Sequence, residues 1–86
     1  MTDAAASLQF TLLSRHGCTL CEEMQVEFQA IPQSSTWHLD VQDVDADTAL
    51  RSRYGHKVPV LLLEGELVCH GRLDREELLK AVSLRS

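Results

Sequence analysis

The sequence predicts an α/β domain of element order β-α-β-α-β-β-α, with a four-stranded mixed sheet flanked by helices. Three observations point there. Apolar and polar residues alternate over positions 8–12 and 36–42, the period of a strand. Apolar residues recur at helical spacing over 20–31, 46–54 and 78–82, the period of an amphipathic helix. Between the last two helical segments, Val58-Pro59-Val60-Leu61-Leu62-Leu63 is apolar throughout, as in a strand covered on both faces.

Each element has its own local reason. Leu8, Phe10 and Leu12 alternate with Gln9 and Thr11, and Leu13 follows, which predicts an interior strand over 8–13. Leu20, Met24, Phe28 and Ile31 form the inner stripe of a three-turn helix, with Glu22, Glu23, Glu27 and Gln29 off it. Pro32 stops that helix, and Gln33-Ser34-Ser35 is a loop. Over 36–42, Trp37, Leu39 and Val41 oppose His38, Asp40 and Gln42, so this strand has one wet face and lies near a sheet edge.

Asp43 or Asp45 is placed to cap a second, shorter helix whose inner stripe is Ala46, Ala49, Leu50 and Tyr54. Gly55 then occupies the C′ position. Pro59 is tolerated at the head of the apolar strand, where the first residue need not donate to the ladder. Glu64-Gly65-Glu66 turns the chain into a return strand over 67–70. Asp74 with Glu77 three residues on reads as a capping box for a last helix, its buried face formed by Leu78, Leu79 and Val82.

Composition narrows the function. The 86 residues are 44% hydrophobic and 24% charged, values of one ordinary globular domain. We read 1–7 as a short disordered N-terminal tail and 8–86 as the domain. A formal charge of −5 argues against a nucleic-acid partner, which calls for a basic stripe. No apolar run reaches the roughly 18 residues of a membrane span, and Met1–Ser7 has no apolar core of a secretory signal. The cysteines number 3, odd and too few for a disulfide framework, which points to a reducing, cytoplasmic setting where a C-x-x-C is catalytic or metal-binding. A monomer is the expected state.

The chemistry concentrates in Ser14-Arg15-His16-Gly17-Cys18-Thr19-Leu20-Cys21. A Cys-x-x-Cys between a strand and the mouth of a helix is a redox motif. Unpaired N–H groups and the positive end of the helix dipole favour a thiolate at Cys18. Its pKa is expected to fall from about 8.5 into the range of about 3.5–7.5. Cys21 lies one turn on, within reach of a disulfide. Arg15 and Lys57 are positioned to add positive charge.

With Lys57-Val58-Pro59-Val60 38 residues downstream and Gly71-Arg72-Leu73-Asp74 before the last helix, the chain resembles the glutaredoxins of the thioredoxin fold. It is most similar to a short glutaredoxin-like family without an assigned function. The resemblance covers residues 8 to 84. It implies a thiol–disulfide oxidoreductase with Cys18 as nucleophile and Cys21 as resolving thiol. It implies a cis Pro59 facing the dithiol, and a Val58 backbone that pairs with an extended substrate as a short added strand. Arg15, Lys57 and Asp74 would serve the substrate or glutathione, Asp74 with the amides after it holding the glutamyl end. Glutathione is the implied co-substrate, with no tightly bound cofactor, and glutathione or a thiol reductase the implied electron donor. Thr19-Leu20 stands where many glutaredoxins have Pro-Tyr, and Lys57 where threonine is usual.

Other readings attach to the same residues. The dithiol is also half of a zinc site, for which His16, His56 and Cys69 are the available further ligands, although no second spaced pair accompanies it. A non-catalytic module of this fold would hold a partner chain at the Val58–Pro59 edge, or a metal ion at the dithiol. Cys69 reads as a small core hydrophobe, and His16, His38 and His70 as solvent-facing.

Overall fold

The computed structural model describes residues 8–85; the tail expected at 1–7 lies outside them. Its elements are β1 (Gln9–Ser14), α1 (Thr19–Gln29), a 3-10 turn (Pro32–Thr36), β2 (His38–Asp43), a second 3-10 turn (Val44–Ala46), α2 (Thr48–Tyr54), β3 (Val60–Leu63), β4 (Glu66–His70) and α3 (Arg75–Arg85). The sheet order is β2-β1-β3-β4. β1 runs parallel to β2 and antiparallel to β3, and β4 returns antiparallel to β3. This is the expected mixed α/β sheet, with β2 at an edge.

Alternation along the two inner strands sorts the core into two layers. Phe10, Leu12, Leu61 and Leu63 face Met24 and Phe28 of α1 and Leu78 of α3. Leu13, Val60 and Leu62 face Val44, with Leu50, Tyr54 and Val58 packed against them. Every residue of β3 is therefore buried. The ring of Phe28 meets that of Phe10 at 5.0 Å, edge to face, and Trp37 closes the group at 5.1 Å from Phe10. Val68 is an extra residue where β4 bulges between its pairs with Leu61 and Leu62.

The structure corrects several local expectations. The buried stripe of α1 is Cys21, Met24 and Phe28; Leu20 is 47% exposed. Met24 and Phe28 keep their places, and position 21 replaces position 20 at equally helical spacing because a buried cysteine packs as a small hydrophobe. The loop after Pro32 is a 3-10 turn. Neither Asp43 nor Asp45 caps α2: Asp43 caps the short turn through the Asp45 N–H, and Asp47 accepts from the Leu50 N–H at 3.0 Å. Ala46 and Ala49 are exposed, so α2 packs through Leu50 and Tyr54. Leu79 is exposed as well, and Leu78 alone is fully buried in α3. Gly55 ends α2 in right-handed conformation at φ −56°, not as a left-handed C′ residue.

Candidate active site

A turn delivers the first cysteine. The Cys18 N–H donates to the Arg15 carbonyl at 3.1 Å, and Gly17 occupies φ +77°, a conformation that glycine adopts without steric cost. Cys18 then becomes the N-cap of α1, its sulfur accepting from the Cys21 N–H at 3.1 Å. Serine and aspartate do this with oxygen. Here the capping atom is a sulfur of the Cys-x-x-Cys pair. Cys18 and Cys21 are joined as a disulfide with Cα atoms 5.2 Å apart. Cys18 is half-buried while Cys21 is 2% exposed.

Strand register brings the second part of the site alongside. Leu13 pairs with Val60 and Ser14 with Asp43, so β1 delivers the dithiol at the end where β3 begins. The Val58–Pro59 peptide there is cis. Pro59 is buried, Lys57 is exposed, and Val58 is half-buried. Among the described residues, no hydrogen bond engages the N–H or the carbonyl of Val58.

The turn before α3 supplies a third wall. The Gly71 N–H donates to the Pro59 carbonyl, and Gly71, Arg72 and Leu73 face Leu20, Glu23, Met24 and Glu27 across a cleft of about 110 Å³. Asp74 caps α3, its carboxylate accepting from the Glu77 N–H at 3.0 Å. That is half of the expected capping box; the Glu77 carboxylate lies 3.7 Å from Lys80. The acidic face of α1, read from sequence as solvated patterning, places Glu23 and Glu27 in this cleft with Arg72. Nothing local in the sequence marks them.

Arg15 is placed differently from the expectation of a charge directed at the thiolate. Its Nε and Nη2 donate to the two oxygens of Asp45 at 2.7 and 2.9 Å, and Nη1 donates to the Gly55 carbonyl at 3.0 Å. The hydrogen bond between them is the main cause that raises Arg15 further above its ordinary value and lowers the Asp45 carboxyl below the usual range.

Cys69 is a free, half-buried thiol against the α1–α3 core layer. Burial pushes it up, partly opposed by the backbone N–H of Asp74, while the carboxylates of Asp74 and Glu77 push the same way as burial. Among the described residues, no group of three or more His, Cys, Asp or Glu side chains converges as a metal site. Nor is any helix among them long and apolar enough to cross a membrane.

Residues 9–83 match the family described as Glutaredoxin-like domain (DUF836). The uncharacterized protein Rv0508 of Mycobacterium tuberculosis and the uncharacterized protein Mb0520 of Mycobacterium bovis are each 32% identical over 77 residues, covering 81% of this chain and 77% of theirs. The solution NMR structure of protein Ne2328 from Nitrosomonas europaea superposes with a TM-score of 0.78 at 30% identity, over 86% of this chain and 89% of that one.

Proposed function

We propose, for a chain that belongs to the Glutaredoxin-like domain (DUF836) family, a thiol–disulfide oxidoreductase working through Cys18 and Cys21. One observation carries the reading: the half-buried Cys18 sulfur caps α1 and accepts the Cys21 N–H at 3.1 Å, while Cys21 is closed to solvent. In the reduced protein the same N–H and the helix dipole favour the thiolate at Cys18.

The cycle starts from the reduced pair. The Cys18 thiolate attacks one sulfur of a substrate disulfide, forming a mixed disulfide and expelling the other sulfur as a thiolate that takes up a proton. Cys21 then loses its proton and attacks the Cys18 sulfur. This expels the second substrate thiolate and leaves the Cys18–Cys21 disulfide, the dithiol having given two electrons. Two equivalents of glutathione, or a thiol reductase, restore the dithiol. The Val58 backbone receives an extended substrate as an added strand, Lys57 and Asp74 contribute to binding it or glutathione, and the setting is a reducing cytoplasm.

The unengaged Val58 backbone also favours a second reading, a binding module that holds a partner chain there without turnover. Mass spectrometry separates the two. Reduced protein incubated with oxidised glutathione should lose two hydrogens, and Cys21→Ser should retain one glutathione on Cys18. An unmodified Cys18 in both proteins refutes the oxidoreductase and leaves the module.

A further inference from the structure

We propose that Arg15 is a positioning residue, a strut that fixes the dithiol turn relative to the segment entering Val58–Pro59. What that spacing serves rests on the oxidoreductase reading above. Three of the five N–H donors of the guanidinium are engaged within the fold. Two donors meet both oxygens of Asp45, and a third meets the Gly55 carbonyl. The backbone carbonyl of Arg15 accepts the Cys18 N–H, so side chain and backbone of Arg15 join the two halves of the site.

Both anchors are themselves fixed. The Asp45 N–H donates to Asp43 at 2.9 Å, and Asp43 pairs with Ser14, next to Arg15. Gly55 is buried, its N–H donates to Arg51 at 2.8 Å, and a Cβ there would come within 2.5 Å of the Arg51 carbonyl oxygen. Two residues on, the Lys57 N–H donates to the Tyr54 carbonyl at 2.8 Å. The chain from Gly55 to Lys57, which leads into Val58, is therefore short and tied at both ends. The planar fork makes three directed bonds, which an ammonium cannot reproduce.

The strut and a charge acting on the thiolate predict different patterns. Arg15→Lys keeps the charge and loses the fork; Asp45→Ala frees the charge and loses the anchor. The probes are a glutathionylated peptide, which engages the Val58 backbone, and bis(2-hydroxyethyl) disulfide, which has no backbone to place. As a strut, each variant slows attack on the peptide about ten- to a hundredfold, the usual size for misplaced reacting groups. Attack on the small disulfide and the Cys18 alkylation profile stay as in the wild type. The double variant is no slower than Arg15→Lys alone, because Arg15→Lys already removes the fork that Asp45 anchors. Overturning results are a wild-type-like Arg15→Lys, or an Asp45→Ala in which Cys18 becomes more acidic. Asp45→Asn serves as a milder cut if Asp45→Ala unfolds. If the wild type captures neither disulfide, the oxidoreductase reading fails by itself. Amide exchange then decides the strut: faster exchange at both Cys18 and Lys57 in Arg15→Lys supports it, and unchanged exchange overturns it.

Discussion

The Gly71 N–H donates to the carbonyl oxygen of Pro59 at 2.8 Å, seating the turn before α3 against the start of β3. Gly71 holds φ +79°, and nothing lies within 4 Å of an added Cβ. Gly71→Ala therefore meets no clash and costs only backbone conformation, about 1 kcal/mol. Urea denaturation should show that loss for alanine and a smaller one for Gly71→Asn, since asparagine tolerates this region.

Asp74 combines a structural and a proposed binding role, and two substitutions part them. Asp74→Ala removes the cap of α3 and should cost about 1 kcal/mol in denaturation. Asp74→Asn keeps a capping oxygen and should hold most of that stability. If the carboxylate charge holds the glutamyl ammonium of glutathione, Asp74→Asn weakens glutathione capture on Cys18 with little change in unfolding midpoint.

The Arg15–Asp45 pair gives acid-sensitive stability. Asp45 is held below the usual carboxylate range, first by the hydrogen bond from Arg15. A depressed folded-state value contributes stability present above the unfolded value, about pH 4, and lost as pH falls through the folded one. Melting temperatures of wild type and Asp45→Asn, compared at low salt, should therefore converge as pH drops below about 4.

Cys69 shows the opposite sign. Burial raises its thiol, so the neutral form stabilises the fold below the ordinary thiol value of about 8.5 and that contribution fades as pH rises through the folded value. Cys69→Ala should flatten the alkaline decline in stability. In the reduced wild type at neutral pH, Cys69 should react with iodoacetamide more slowly than Cys18.

Phe28 is 2% exposed and stacks edge to face on Phe10. Phe28→Ala should cost about 3–5 kcal/mol, a large part of the stability of a small domain. Denaturant midpoints should fall accordingly, with Phe28→Leu between the two.

Element order, sheet layers and the Cys18–Cys21 pair were legible because they rest on short-range patterns: periods, a continuous apolar run and a cap before a helix. Boundary details failed where two residue types compete for one role. Three aspartates lie within five residues, at 43, 45 and 47, and spacing alone did not select Asp47 as the cap. Leu20 and Cys21 both fit helical spacing to Met24, and it is the cysteine that is buried. Arg15 and Asp45 are 30 residues apart, and their pairing follows from the crossover between β1 and β2, which no local window contains. The cleft of Glu23, Glu27 and Arg72 has the same origin, since strand register alone brings α1 beside the turn at Gly71.

The unequal exposure of the two sulfurs imposes an order in time. A reagent diffusing in from solvent, whether disulfide, peroxide or alkylating agent, encounters Cys18 first. Cys21, at 2% exposure, responds only to what has already been taken up beside it. In the reduced protein the two sulfurs are therefore met one after the other, and any adduct found on Cys21 alone signals an opened helix.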